Sequence, residues 1–199
     1  MSSTPAGAPV LQVIIASTRP GRAGLPVGQW IAAYAGKRGD FQVEIIDLAE
    51  LHLPLYDEPA HPRARRYTRE HTQRFSEIID RADAFVIVFP EYNHSFNAAL
   101  KNALDYLFHE WAHKPVGLVS YGGIAAGARA AQAVKPVLNA LYLTPVPEAV
   151  LIPLVQSFLN GEGAELRFVP NTEIETGTDL MLDALADRMQ ISRLARLAS

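Results

Sequence analysis

A chain of 199 residues, 49% of them apolar and none of them cysteine, has the size and make-up of one globular domain. The lack of cysteine excludes disulfides, thiol nucleophiles, iron–sulfur clusters and Cys-ligated zinc, so any redox chemistry is borrowed from a cofactor. Eighteen basic against 21 acidic residues give a net charge of −3, the wrong sign for a nucleic-acid or anionic-membrane surface. The opening MSSTPAGAP has neither the charge nor the apolar core of a signal peptide, and no apolar run reaches bilayer length. The expectation is therefore a cytoplasmic protein whose partner is small, with no nucleic acid and no membrane.

Strand and helix patterns alternate along the chain. Val10 to Ala16 reads as a buried strand, and Pro26 to Arg38 as a helix with Val27, Trp30, Ile31 and Tyr34 on one side. Phe41 to Asp47 alternates like a second strand, Thr68 to Ala82 places Phe75, Ile78 and Ile79 at helical spacing, and Ala84 to Phe89 is the most continuously apolar strand. A third helix follows with Phe96, Leu100, Leu104, Leu107 and Phe108 as its stripe. Pro115 to Ser120 is a fourth strand, and Gly127 to Leu143 a fourth helix that Pro136 kinks or restarts. Val146 to Leu154 is a fifth strand whose prolines suit a sheet edge, and Thr178 to Leu197 is a last helix. No repeat or interdomain linker interrupts the series. Residues 1–199 are expected to form one domain, with 1–8 flexible and 155–199 a C-terminal extension and helix.

Such alternation calls for a parallel sheet covered by helices on both faces, with ligands outside the carboxyl ends of its strands. Three loops lie there. Ser17 to Gly24 (STRPGRAG) has hydroxyls, two arginines and a helix start behind it, the parts of a phosphate cradle. It spells neither G-x-x-x-x-G-K-[ST] nor G-x-G-x-x-G. Pro90 to Ser95 (PEYNHS) offers a rigid apolar wall and backbone polar groups to a planar heterocycle, with Ser95 also placed to cap a helix from Phe96. Ser120 to Gly127 (SYGGIAAG) lets backbone amides approach a flat ligand's edge.

Three stretches in register, ASTRPGR (16–22), PEYNHSFNAALKNALDYL (90–107) and SYGG (120–123), resemble the NADPH-dependent FMN reductase family over about residues 9–152. The resemblance implies an α/β flavodoxin-like fold: a doubly wound five-stranded parallel sheet of order 2-1-3-4-5 with helices on both faces. It implies that Ser17, Arg19, Arg22 and the turn Leu25, Pro26, Val27 hold the phosphate of bound FMN. Pro90, Glu91, Tyr92 and Asn93, with Ser120, Tyr121, Gly122 and Gly123, would grip the ring. The implied activity is ping-pong hydride transfer from NADPH or NADH to FMN and on to a flavin, quinone or similar small acceptor, with no catalytic side chain named. The alternative is a flavodoxin-type electron carrier or flavin sensor without pyridine-nucleotide reductase activity. A homodimer or dimer of dimers is also implied, through the helix after PEYN. There Lys101 and Asp105 stand i, i+4 and pair either with each other or across a two-fold axis.

Other motifs read differently. His109 to His113 (HEWAH) spells H-E-x-x-H, but Pro115 ends any helix close by, so a solvated end of the third helix is expected and no metal ligand is assigned. GLVSYG (117–122) misses G-x-S-x-G by one position. RARRYTRE (63–70) reads as a solvated loop and helix start, with the sharper reading that one of its arginines grips the 2′-phosphate of NADPH.

Overall fold

In the computed structural model, which describes residues 7–197 and side chains as far as residue 191, the apolar runs become the strands of one parallel sheet. Residues 1–6, most of the stretch 1–8 expected to be flexible, lie outside the described residues. β1 (Val10–Ile15) is buried along almost its whole length. It leads through residues 16–23 into α1 (Gly24–Arg38), which ends with Lys37 and Arg38 in its last turn and Gly39 in the left-handed conformation at φ 80°, a cation-rich, glycine-capped C-terminus. β2 (Gln42–Asp47) pairs parallel with β1, and Asp47 caps the short α2 (Leu48–Leu51) by accepting from the Ala49 amide.

Residues 52–69 wrap back to α3 (Glu70–Asp80), which is shorter at both ends than expected. Its N-terminus is served from a distance: the buried Glu58 carboxylate accepts from the amides of Thr68 and Arg69 and from the Thr68 hydroxyl. β3 (Ala84–Tyr92) is the central strand, flanked by β1 and by β5 (Pro115–Tyr121). At its end, Glu91 and Tyr92 pair with Phe96 and Ser95 of β4 (Ser95–Phe96). The two linking residues, Asn93 and His94, both have positive φ, 50° and 67°, the backbone of a type I′ hairpin turn. PEYNHS is thus a hairpin, and Ser95 is a strand residue rather than a cap. α4 (Ala98–Tyr106) starts after Asn97, whose side chain donates to the Ala16 carbonyl at 2.7 Å.

α4 stops at Tyr106, so HEWAH lies in a series of turns and not at a helix end. The solvated environment expected for it is also corrected, because Glu110 and Trp111 are buried. Glu110 accepts from Tyr67 at 3.0 Å and Ser76 at 2.6 Å and faces Arg65 at 3.3 Å. His109 meets the Arg63 carbonyl, and His113 stacks on Tyr142. Both imidazoles therefore have structural neighbours of their own.

α5 (Ala128–Ala140) carries Pro136 inside one continuous helix. β6 (Thr144–Ile152) is an edge strand, as its prolines require, with a register irregularity between Val116 and Leu118 of β5. After it come a small antiparallel pair, β7 (Leu159–Asn160) and β8 (Arg167–Phe168), and α6 (Thr172–Leu197). α6 begins earlier than expected because Asn171 accepts from the Ile174 amide and Glu173 and Glu175 favour the first turn.

The sheet order is β2-β1-β3-β5-β6, with β4 paired to β3 alone. Counting the five parallel strands by themselves, this is 2-1-3-4-5. α1 and α6 cover one face and α3, α4 and α5 the other, each over its own apolar cluster. α6 lies close on β5 because Gly117 has no side chain: a Cβ there would stand 2.8 Å from the Met181 sulfur. The winding direction reverses between β1 and β3, which brings the ends of β1, β3 and β5 together. No described helix is long and apolar enough to cross a membrane.

Candidate active site

The carboxyl ends of β1, β3, β5 and β6 surround a cavity of about 490 Å³, within the range of small-molecule and cofactor sites. The loop after β1 contributes Arg19, Arg22 and Ala23; the end of β3 contributes Pro90, Glu91 and Tyr92; the end of β5 contributes Tyr121, Gly122 and Gly123. A fourth wall, Leu154 to Ser157, comes from the segment after β6. That wall and Ala23 were not found in the sequence. The signal for the wall was weak, since a strand ending in prolines says only that the chain turns there.

One end of the cavity is built for an anion. α1 begins at Gly24 with no side-chain cap and no acidic residue in its first turn, so the amides of Gly24 and Leu25 have no helical acceptor. Ser17 is fully buried, and its hydroxyl forms no hydrogen bond of normal geometry among the described residues, although the Tyr121 hydroxyl lies beside it. A Cβ on Gly24 would stand 2.3 Å from Ser17 Oγ and 2.6 Å from Tyr121 Oη. Only glycine lets both hydroxyls meet the helix start. Burial pushes the Tyr121 hydroxyl up to about 12, which keeps it a proton-bearing donor at neutral pH.

The two arginines of this loop differ. Arg19 is exposed and makes no hydrogen bond or ion pair among the described residues. Arg22 donates to both oxygens of Asp47, at 2.7 and 2.5 Å, and to the Ser17 carbonyl at 2.6 Å. Its guanidinium holds the loop in shape while its stem lines the cavity. Leu25 and Pro26 lie in the first helical turn and face an adjoining groove with Gln29 and Leu166. Val27 is a core residue whose amide is taken by the Ala23 carbonyl at 3.3 Å.

The other end of the cavity is apolar and rigid. Glu91 is its one acidic lining residue, and Arg129 neutralises it through Nε at 2.5 Å and through its own backbone amide at 3.2 Å. Burial acts to raise the Glu91 pKa, but Arg129 outweighs it and holds the carboxyl below its ordinary range. Arg129 also donates to His94 Nε2 at 2.9 Å, tying the hairpin turn to α5. Asn93, at the turn itself, does not line the cavity, nor does Ser120, whose hydroxyl lies under Gly127 and donates to the Ala126 carbonyl at 3.4 Å. Gly122 is held by Ile152, and the fourth wall hangs from the glycine pair: Leu154 donates to the Gly123 carbonyl at 3.0 Å and Val155 to that of Gly122 at 3.2 Å. The slot is pre-formed on both sides.

A family profile for NADPH-dependent FMN reductases matches residues 10–156. The chain belongs to that family. It is accordingly an oxidoreductase that works with FMN and takes hydride from NAD(P)H. It is 39% identical over 141 residues to an NAD(P)H-dependent FMN reductase of Schizosaccharomyces pombe, covering 70% of each chain. To a quinone reductase of Pseudomonas putida it is 32% identical over 154 residues, covering 73% of this chain and 75% of that one. The fold matches FerB, a flavoenzyme NAD(P)H:(acceptor) oxidoreductase of Paracoccus denitrificans, with a TM-score of 0.71 at 21% identity, over 92% of this chain and 98% of that one. The cavity of this reductase fits FMN: among the described residues, a buried hydroxyl with no hydrogen bond of normal geometry, an uncapped helix start and an arginine outside any ion pair stand at one end, and a neutralised apolar slot at the other.

Three of the four arginines in the 63–69 run are occupied away from this cavity. Arg63 lies over the Phe108 ring, Arg65 faces Asp80 and Glu110, and Arg69 pairs with Asp57. Among the described residues no group of three His, Cys, Asp or Glu side chains is placed to hold a metal ion.

Proposed function

We propose that this reductase seats FMN across the ends of β1, β3 and β5 and uses NAD(P)H to reduce a flavin, a quinone or a similar small acceptor. The observation that carries the placement is the meeting of Ser17 Oγ, Tyr121 Oη and the uncapped start of α1 beside a slot without free negative charge. When bound, FMN supplies the two-electron relay between nicotinamide and acceptor. The chain's own work is to hold and orient. Ser17, Arg19 and the amides of Gly24 and Leu25 bind the phosphate, and Arg22 fixes their loop through Asp47. Pro90, Tyr92, Tyr121, Gly122 and Gly123 flank the ring, and the paired state of Glu91 keeps a bare carboxylate away from it. No side chain is needed as acid or base for hydride transfer itself.

Residues 155–197 are read as part of the same domain, a reading supported by Phe168, which packs on Trp30 of α1 and on Phe158, and by α6 against β5 and β6. Dependence on NAD(P)H supports a cytoplasmic location. The proposed homodimer or dimer of dimers uses α4, where Lys101 and Asp105 pair within the helix at 2.6 Å and remain exposed to a second copy. The weak net charge argues against nucleic acid as a partner.

Purified protein reconstituted with FMN, freed of excess and titrated anaerobically with NADPH tests the central reading. A bound flavin band that bleaches is expected. A bound flavin that resists both NADPH and NADH makes the protein a carrier or sensor, and absence of bound flavin overturns the placement.

A further inference from the structure

Leu154 has a backbone conformation that leucine rarely adopts. Its φ of 45° and ψ of 49° lie in the left-handed region, where a bulky side chain crowds the backbone and where glycine or asparagine is the usual occupant. The conformation is fully determined by its surroundings. The Leu154 amide donates to the Gly123 carbonyl, and the Leu154 carbonyl accepts from both the amide and the hydroxyl of Ser157, at 2.8 and 2.9 Å. Any residue at this position would be held the same way, so the backbone gives no reason for a leucine.

The side chain brings no core packing either, being 56% exposed, yet it lines the active-site cavity. Tyr92, 39% exposed, lines the same cavity, and Ile124, next to Gly123, is 90% exposed. Leu154 and Tyr92, delivered by the ends of two different strands, thus leave apolar surface open at the cavity, and Ile124 stands exposed close by along the chain. Pro90 is buried in the same cavity wall, and Arg19 and Arg22 line it from the loop after β1. Strain kept at a ligand site and an apolar side chain left in water both make sense when a second molecule covers that side chain.

We propose that Leu154 is a specificity-determining residue: its side chain is the apolar wall against which the second planar ligand, nicotinamide or acceptor, rests above the flavin. This rests on the placement of FMN argued above. With Glu91 paired to Arg129, what Leu154 and Tyr92 offer at this wall is apolar surface, which suits an uncharged aromatic face.

The test uses the FMN-loaded full chain and two substitutions that the left-handed backbone accepts, Leu154→Asn and Leu154→Gly. Quinoline, neutral at pH 8 and inert to reduction by a flavin, and naphthalene-1,5-disulfonate are titrated against the oxidised holoprotein while the flavin absorbance is followed. Wild type is expected to bind quinoline more tightly than the disulfonate. Both variants should lose quinoline affinity about three- to tenfold, as partial loss of an apolar contact implies, with melting temperatures equal to or above that of wild type because the strain is relieved. Unchanged quinoline affinity in both variants overturns the proposal. So does an equal loss of FMN affinity, which would make Leu154 part of the flavin grip, or a fall in melting temperature in both variants, which would make it structural. If wild type itself fails to bind FMN, or its flavin resists NAD(P)H, the failure lies in the underlying reading and is visible before any variant is made.

Discussion

The Arg22 guanidinium makes two hydrogen bonds to the Asp47 carboxylate, joining the loop after β1 to the end of β2. Both side chains are largely buried, at 13% and 4% exposed. Asp47 also caps α2, and Arg22 also holds the Ser17 carbonyl, so one ion pair sets the shape of the loop after β1. Removing one partner of a buried pair leaves an uncompensated charge. Asp47→Ala is expected to cost about 3 kcal/mol in urea unfolding and to weaken FMN binding as the loop loosens. An unchanged urea midpoint would mean that Arg22 does not depend on Asp47 for its place.

Gly24 is a sharper probe of the same loop. Its Cβ in Gly24→Ala would collide with Ser17 Oγ and Tyr121 Oη, and overpacking of this kind costs about 1–3 kcal/mol. The hydroxyls must turn away from the helix start to make room. Fluorescence titration with FMN should show affinity at least about tenfold weaker, corresponding to about 1.4 kcal/mol, in a protein that still folds. Wild-type affinity would show that these hydroxyls do not face the phosphate.

Loss of Arg129 should make flavin binding depend on pH. In the wild type the Glu91 carboxyl lies below its ordinary range, so its contribution to stability is present above that range and is lost as pH falls through the lowered value. In Arg129→Ala the burial that now opposes ionisation is no longer outweighed, and the Glu91 pKa rises. At pH 8 a bare carboxylate then stands in the wall of the ring slot. FMN affinity is expected to fall about tenfold at pH 8, about 1.4 kcal/mol, and to recover toward pH 5 as Glu91 takes up a proton. Equal losses at both pH values would show that Arg129 acts through packing alone.

Glu110 decides the meaning of HEWAH. It is fully buried among Tyr67, Ser76 and Arg65, a structural anchor between α3 and the turns before β5. Glu110→Ala should lower unfolding stability by about 3 kcal/mol, with Glu110→Gln less damaging because it keeps part of the hydrogen bonding. A chelator such as EDTA should leave the wild-type melting temperature unchanged. A chelator-induced fall would mean that the H-E-x-x-H residues hold a metal ion.

The sequence by itself determined the alternation of strands and helices and the three loops expected at the strand ends. These follow from local periodicity and from where ligands can approach a parallel sheet. It also carried the family resemblance, because PEYNHSFNAALKNALDYL is long and continuous. Tertiary structure alone decided which partner each polar side chain took. Arg19 and Arg22 are three residues apart and look alike in the sequence, yet among the described residues one makes no ion pair and the other is bound to a carboxylate 25 residues away. Glu110 stands in an H-E-x-x-H pattern and is a buried anchor. The Asn93-His94 turn became a hairpin only through the pairing of β3 with β4. Leu154 to Ser157 entered the site only because the edge strand β6 delivers them beside Gly122 and Gly123. Side-chain pairing joins residues far apart along the chain, and no local pattern of apolar and polar residues encodes which of several distant partners will lie within hydrogen-bonding reach.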